Sequence, residues 1–197
     1  MRVVVASGNP GKLCELTDLL GDFGLELLSQ STLGVRSVKE TGGSFVENAL
    51  LKARHAAQCT GLTAIADDSG LEVDALGGAP GIFSARYAGE QADDAANNAK
   101  LIDALQGVPQ ALRTARYRCV LAWVSSADDP QPLIAAAVWE GLILDAPRGS
   151  GGFGYDAYFW VPELKLTAAQ MDAAAKNRSS HRGQAMRTLR ASLLARH

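Results

Sequence analysis

Short apolar runs alternate along the chain with stretches of helical period, and this alternation predicts an α/β fold. The valine-rich run from Arg2 to Ala6 predicts a buried first strand, and Leu25 to Leu28 predicts a second. Between them, apolar residues recur at helical spacing at Leu13, Leu16, Leu19, Leu20 and Phe23. Ser44 and Glu47 have the spacing of a capping box, so a further helix is expected to begin there.

The second half of the chain continues the alternation. Thr63 to Ala66 predicts a short strand that runs into Asp67-Asp68-Ser69-Gly70, which places the acidic pair at the strand end. Thr167 with Gln170 forms another capping box and predicts an Ala-rich helix after it. The other predicted elements are a helix over 93–105, a strand over 116–124, its antiparallel partner over 133–143, and a last helix over about 182–195.

Composition narrows the class of protein. A length of 197 residues predicts a single domain over 1–197, with room for two lobes that share one sheet. The 19 basic and 21 acidic residues leave a net charge of −2, which argues against a nucleic-acid partner. No apolar run reaches the roughly 18 residues of a membrane span, and no signal peptide is seen, so a cytoplasmic protein is expected. The three cysteines are far apart and predict reduced, buried thiols.

The first candidate site is a loop that follows a strand and opens a helix. It consists of Ser7, Gly8, Asn9, Pro10, Gly11 and Lys12. Backbone N–H groups at a helix start, together with a lysine, suit phosphate oxygens. The loop is no Walker A motif, because Ala6 and Leu13 stand where that motif needs Gly and Ser or Thr. An ordinary strand-to-helix turn is the alternative.

The second candidate is the acidic pair Asp67-Asp68. Adjacent strand residues point to opposite sides, so only one carboxylate needs to face a ligand. Carboxylate oxygens suit Mg²⁺, which usually takes one or two of them together with phosphate and water. A turn with Asp as a local hydrogen-bond acceptor is an equal alternative. Glu40 is a further loop carboxylate that indicates nothing by itself.

The third and fourth candidates lie near the C-terminus. Gly152 to Ala157 matches GxGxxA, but the following segment 158–162 predicts a strand, whereas a dinucleotide fingerprint opens a helix. Glycines around Phe153 instead suggest a stacking surface for a flat ligand, with a bulge or hairpin loop as the alternative. Lys176 and the pair His181-Arg182 offer several donors, with a solvated helix entry as the alternative.

These pieces in this order resemble the inosine triphosphate pyrophosphatase family, the dITP/XTP pyrophosphatases for non-canonical purine nucleotides. The resemblance covers nearly the whole chain. The matching stretches are Ser7–Lys12, Glu40-Thr41-Gly42, Phe45–Ala49, Lys52-Ala53, Ala66–Leu71, Gly78–Gly81, Ser84–Tyr87, Gly151–Asp156 and Ser180–Gly183.

The family implies an elongated mixed β-sheet flanked by helices, with two lobes, a central active-site cleft and a homodimer. It implies a cytoplasmic hydrolase of nucleotide metabolism that converts ITP, dITP and XTP to the monophosphate and pyrophosphate with Mg²⁺. Glu40 and Asp68 are the implied metal ligands, and Asp68 is also the implied general base. The implied substrate-binding residues are Ser7–Lys12, Lys52, Ser69, Phe153, Gly154, Tyr155, Asp156, Lys176, His181 and Arg182.

Two stretches depart from the family pattern. Asp172-Ala173-Ala174-Ala175 lacks the usual acidic residues, and we expect this segment to face solvent. Glu163-Leu164-Lys165-Leu166 lacks the usual Gly-Lys-Thr order.

Two other functions stay open. A related pyrophosphatase for modified pyrimidine triphosphates shares the chemistry. The base pocket distinguishes the two classes of enzyme, and the donors of His181-Arg182 favour a 6-oxopurine. A non-catalytic nucleotide-binding module is the other, and the presence of both Glu40 and Asp68 argues against it.

Overall fold

The computed structural model describes residues 1–196, apart from the side chain of Asp22. The strands are β1 (Arg2–Val5), β2 (Glu26–Ser29), β3 (Thr63–Val73), β4 (Thr114–Val124), β5 (Leu133–Ile143), β6 (Phe159–Val161) and β7 (Leu166–Thr167). The helices are α1 (Pro10–Leu20), α2 (Phe45–Thr60), α3 (Asp94–Ala104), α4 (Ala173–Ser179) and α5 (His181–Leu194). Within this part of the chain, none of the helices is long and apolar enough to cross a membrane.

The strands form a seven-stranded mixed sheet in the order β2-β1-β3-β4-β5-β6-β7. Strand β1 pairs in parallel with both β2 and β3, so that Val3 lies opposite Leu27 and Thr63. Parallel neighbours need a crossover, and α1 and α2 lie in those two connections. Strand β6 pairs antiparallel with β5 and with β7. The predicted α/β class with a mixed sheet is confirmed.

The chain folds into two compact units, each assembled from separate stretches. The first unit contains residues 1–68, 119–137 and the C-terminal stretch from Arg182 onward, and the second contains 69–118 and 138–181. Strands β3, β4 and β5 each contribute residues to both units. Because no single cut in the chain separates the units, the sequence shows no linker, and it predicts one domain over 1–197.

Each unit has its own apolar core. In the first, Leu16 and Leu20 of α1 are fully buried against Val3 and Val5 of β1, as the helical spacing predicts. The second core is built from β3 to β6 and α3, and it contains Leu71, Val73, Leu101, Leu105, Ala115, Tyr117, Trp139, Ile143, Tyr155, Phe159 and Val161.

The helix predicted to begin at Ser44 is confirmed, whereas the capping box at Thr167 and Gln170 opens a different element from the one predicted. Ser44 accepts the Glu47 N–H at 3.2 Å, but the Glu47 carboxylate accepts the N–H of Gly43 rather than that of Ser44. The box at Thr167 and Gln170 is complete, yet it opens a 3₁₀ turn over Ala168–Gln170. The following helix, α4, has its own cap instead.

That cap is Asp172, which accepts the Ala175 N–H at 2.6 Å. Asp172 and the next two alanines are exposed, as expected for this segment. All three cysteines are free thiols as predicted, but only Cys119 is buried, because Cys14 and Cys59 lie exposed on α1 and α2.

Candidate active site

The acidic pair lies inside β3 rather than at its end. The predicted strand stops at Ala66, but β3 continues through the polar residues to Val73. Successive side chains of a strand point to opposite faces, and Asp67 and Asp68 contact different groups accordingly. The pair therefore presents two carboxylates in two environments.

Asp67 is buried among cationic partners. Its Oδ1 lies 2.5 Å from Lys12 Nζ, and its Oδ2 accepts from Arg182 Nε at 3.1 Å and from the Cys119 thiol at 3.1 Å. Burial alone opposes ionisation of this carboxyl, but the attraction of Arg182 and Lys12 outweighs it and lowers the pKa of Asp67 well below its usual value. Asp67 is thus a buried anion at neutral pH.

Arg182 extends this charge network. The side chain is 1% exposed, and its guanidinium contacts the carboxylates of Asp67 and Glu15. Burial acts against the cation, yet these two carboxylates raise the pKa of Arg182. A solvated helix entry is therefore wrong for this position. The role that the resemblance implies for Arg182 in the nucleobase pocket stays a prediction.

Asp68 has a different environment, centred on one lysine. Lys52 Nζ donates to Asp68 Oδ1 at 2.6 Å and to Glu40 Oε1 at 2.8 Å. The other oxygen, Asp68 Oδ2, is buried and has no hydrogen-bond partner among the described residues. Burial raises the pKa of Asp68 to about 6, although the Lys52 ammonium opposes that rise. A carboxyl that titrates near neutrality beside an open acceptor position suits proton transfer.

Glu40 and Asp68 form a donor set that fits Mg²⁺. Both supply only oxygen, and Mg²⁺ is usually bound by one or two carboxylates together with substrate phosphates and water. Within residues 1–196, no group of three or more His, Cys, Asp or Glu side chains could hold a metal ion by itself. The unpartnered Asp68 Oδ2 is the atom with acceptor capacity to spare.

The predicted phosphate loop forms a strand-to-helix turn whose helix start is well defined. Asn9 caps α1, because its side chain accepts the Lys12 N–H at 3.0 Å, and Ser7 Oγ accepts the Asn9 N–H at 3.2 Å. Pro10 is the first helical residue, where a missing N–H costs nothing. Added to Gly8, a Cβ would lie 3.2 Å from Ser37 Oγ, so the backbone passes close to that residue.

The Phe153–Asp156 loop is organised around one buried carboxylate in the second unit. Asp156 Oδ2 accepts the Phe153 N–H at 2.9 Å and Lys176 Nζ at 2.6 Å. Lys176 Nζ also lies 4.7 Å from the centroid of the half-buried Phe153 ring. Gly152 has φ +73°, and any Cβ there would collide with the Asp156 carboxylate. The structure thus brings together three of the predicted residues.

The middle of the loop is held by groups that the sequence did not single out. The Gly154 N–H donates to Asp94 Oδ2 at 2.6 Å, and its carbonyl accepts from Asn98 Nδ2 at 2.8 Å. Tyr155 is buried in the second core and donates its hydroxyl to the Ser84 carbonyl at 2.8 Å. These contacts favour an anchoring role for Tyr155.

Two further predicted residues are His181 and Ser69. The buried imidazole of His181 stacks on the Tyr117 ring at 4.7 Å with 8° between the planes. Ser69 follows Asp68 in β3 and is half-buried. From the sequence, Tyr117 is placed only within the predicted strand over 116–124, and Glu15 gives no signal.

Fold and site together define a class of protein: an α/β chain with a strand-borne carboxylate pair, a lysine-bearing helix-start loop and a glycine-rich aromatic loop. The chain belongs to the Ham1 family, whose model matches residues 3–192. The resemblance noted from the sequence is thereby confirmed.

Three similar proteins illustrate the match. The chain is 58% identical over 189 residues to the dITP/XTP pyrophosphatase of Thioalkalivibrio sulfidiphilus, covering 96% of each chain. It is 56% identical over 188 residues to the dITP/XTP pyrophosphatase of Photorhabdus laumondii, covering 95% of each. The solved structure of a HAM1 protein from Coxiella burnetii matches with a TM-score of 0.90 and 48% identity over 99% of both chains.

Proposed function

We propose that this protein hydrolyses the non-canonical purine nucleotides ITP, dITP and XTP to the monophosphate and pyrophosphate, and so cleanses the nucleotide pool. The observation that carries the proposal is Asp68: a buried carboxyl with a pKa of about 6 and one open oxygen, beside Glu40 and Lys52. The dITP/XTP pyrophosphatase names of the relatives support the same activity.

The first unit supplies the groups for the triphosphate. The N–H groups at the start of α1 and the Lys12 ammonium attract phosphate oxygens and offset the charge that develops on the leaving pyrophosphate. Asp67 keeps the Lys12 side chain in place through its 2.5 Å contact. Asp68 orients the attacking water and accepts its proton.

Glu40 and Asp68 are the residues that would hold Mg²⁺, and Lys52 keeps their two carboxylates together. A bound Mg²⁺ supplies charge neutralisation on the phosphates during the displacement. The protein would then be a magnesium-dependent hydrolase of phosphoric anhydrides.

The Phe153–Asp156 loop and its neighbours supply the groups for the base. The Phe153 ring offers a stacking face, and Lys176 and His181 offer donors for the oxygen at position 6 of hypoxanthine or xanthine. Arg182, whose guanidinium also contacts Asp67 and Glu15, is a further donor that we propose for the base. We also propose that the protein acts in the cytoplasm as a homodimer with nucleotides, and not nucleic acid, as its partners.

The products of ITP test the proposed activity directly. With Mg²⁺ present, we expect IMP and pyrophosphate in equal amounts, because the helix-start loop and Lys12 suit retention of a whole pyrophosphate as leaving group. The measurement is product analysis by ion-exchange chromatography with separate assays for pyrophosphate and orthophosphate. IDP and orthophosphate as first products would contradict the assignment.

Removal of the metal should stop the reaction. We expect activity to disappear after exhaustive EDTA treatment and to return with Mg²⁺ without any need for Zn²⁺, because Glu40 and Asp68 are hard oxygen donors. Glu40→Gln should shift the Mg²⁺ titration to higher concentrations, since a neutral amide oxygen replaces a carboxylate. An unchanged titration would remove Glu40 from the site, and full activity after EDTA would remove the metal.

Base selection should follow the atom at position 6. ITP should be turned over by up to about 10⁴-fold more efficiently than ATP, because the adenine amino group would leave buried donors unpaired. A panel of ITP, XTP, ATP and a modified pyrimidine triphosphate, compared by kcat/KM, makes the measurement. Preference for the pyrimidine would favour the related pyrophosphatase class, and equal turnover of ATP and ITP would refute this base site.

A further inference from the structure

A tyrosine outside the predicted site residues donates a hydrogen bond to the central carboxylate of the aromatic loop. The Tyr117 hydroxyl lies 3.1 Å from Asp156 Oδ1, whereas Lys176 and the Phe153 N–H both contact Oδ2. The two oxygens of Asp156 thus have different donors. Tyr117 belongs to β4, 39 positions away along the chain, so its hydroxyl is a fixed point on the sheet.

The ring of the same tyrosine contacts the other polar group of this unit. Tyr117 stacks on the His181 imidazole with a centroid distance of 4.7 Å and 8° between the planes. Its other neighbours are aromatic: Phe159 lies at 4.6 Å with a tilt of 51°, and Trp139 at 6.5 Å. The ring is therefore held on the sheet side by apolar packing, and it presents one face to His181.

The Tyr117 hydroxyl acts as a donor at all physiological pH values. Burial, and next the negative charge of Asp156, raise the pKa of Tyr117 well above its usual value. The phenol therefore keeps its proton, and it cannot compete with Asp156 for the donors of Lys176 and Phe153.

We propose that Tyr117 is a positioning residue for nucleobase selection: its hydroxyl fixes the Asp156 carboxylate, and its ring fixes the His181 imidazole. The inference rests on the proposed function, because that function assigns His181 and Lys176, which Asp156 holds, to the base. Tyr117 itself does not belong to the groups assigned to substrate.

The geometry gives this role a physical basis. Lys176 and the Phe153 N–H both hold Oδ2 of Asp156. A third point of attachment, on Oδ1, is needed to fix the plane of the carboxylate. The Tyr117 hydroxyl supplies that third point. A fixed carboxylate keeps Lys176 in one position relative to the Phe153 ring, and so keeps the donors aimed at one place. Loss of the hydroxyl should therefore weaken the choice between bases and leave the bond cleavage unchanged.

The test is Tyr117→Phe, which removes only the hydroxyl and keeps the ring against His181. We expect the ratio of kcat/KM for ITP to that for ATP to fall about tenfold, as for the loss of a hydrogen bond to a charged group. The change should appear mainly as a higher KM for ITP, with kcat within about twofold of the wild type. Val73→Ala, in the same apolar core, is the control for lost stability alone. It should lower Tm and leave the ITP/ATP ratio unchanged.

A double-mutant cycle with Asp156→Asn shows whether Tyr117 acts through the carboxylate. In the Asp156→Asn background, Tyr117→Phe should change the ITP/ATP ratio by less than about twofold. An unchanged ratio in Tyr117→Phe, or an equal fall with and without the Asp156 carboxylate, would overturn the inference. A wild type that does not prefer ITP would instead overturn the proposed base selection itself, and with it this role. Failure of the base selection itself is seen in the kcat/KM values of the wild-type protein, whereas failure of the Tyr117 role is seen only in the variants.

Discussion

Asp68→Asn should abolish pyrophosphate release from ITP, with a loss of at least about 10⁴-fold in kcat. Removing a general base typically costs about 10²–10⁴-fold, and losing a charged ligand of the proposed Mg²⁺ site adds to that loss. Asn is nearly isosteric with Asp, but its amide cannot accept a proton from water at neutral pH. Nucleotide binding through the α1 start and Lys12 should largely remain.

The same substitution should leave the fold intact. Burial raises the pKa of Asp68 to about 6, above the roughly 3.9 of an unfolded Asp, so its ionised form is disfavoured in the native state. The native state then binds more protons than the unfolded state between about pH 4 and 6, and stability falls as pH rises through that window. Asn carries no charge, so it removes the free-energy cost of burying an ionised carboxylate. Lys52 keeps its contact with Glu40.

Pyrophosphate release, thermal melts and ITP binding should be measured together on this variant. Asp74→Asn is the control, because Asp74 lies just beyond β3, pairs with Arg116 and has a side chain that is 43% exposed. It should retain nearly full turnover. Near-wild-type turnover by folded Asp68→Asn protein would remove Asp68 from catalysis.

The sequence predicts those parts of the fold that depend on residues a few positions apart along the chain. The apolar period of α1 is visible in the residues themselves, and Leu16 and Leu20 are buried as it requires. The length of β3 is not visible in this way. Polar residues at 67–69 interrupt its apolar run. The strand pairs with β1 only as far as Ile65, yet it continues to Val73, and its other neighbour in the sheet is β4. Tertiary pairing therefore decides the strand end.

The site shows the same division. The loop at Ser7–Lys12 is contiguous, so its helix-start geometry follows from the sequence alone. Arg182 finds its carboxylates 115 and 167 positions away along the chain, at Asp67 and Glu15. No spacing rule connects such residues, and the adjacency of Arg182 to His181 suggested a common role for the two. The structure shows different contacts for the two, because His181 stacks on Tyr117 whereas Arg182 contacts Asp67 and Glu15.

Asp67→Asn should act in the opposite way to Asp68→Asn, by lowering stability much more than catalysis. The substitution removes one of the carboxylates that contact the buried Arg182, and it removes the charged partner of Lys12. Breaking a buried ion pair in this way costs about 3–5 kcal/mol. At about 2–4 °C per kcal/mol for a chain of this size, Tm should fall by roughly 6–20 °C.

The pH dependence of that loss identifies its cause. The pKa of Asp67 is held well below that of an unfolded Asp, so its contribution is present above about pH 4 and disappears as pH falls through the folded-state pKa. The difference in Tm between wild type and Asp67→Asn should therefore be full at pH 7 and should shrink in strong acid. Asp74→Asn again serves as control, with a small Tm change at pH 7.

Turnover by the folded fraction of Asp67→Asn distinguishes the two carboxylates. We expect kcat to remain within about tenfold of the wild type and KM for ITP to rise, because Lys12 loses the contact that holds its ammonium in place. Measurements well below the Tm of the variant separate this effect from unfolding. A folded but inactive Asp67→Asn protein, together with an active Asp68→Asn protein, would show that Asp67 is the base and that the open Oδ2 of Asp68 serves another purpose.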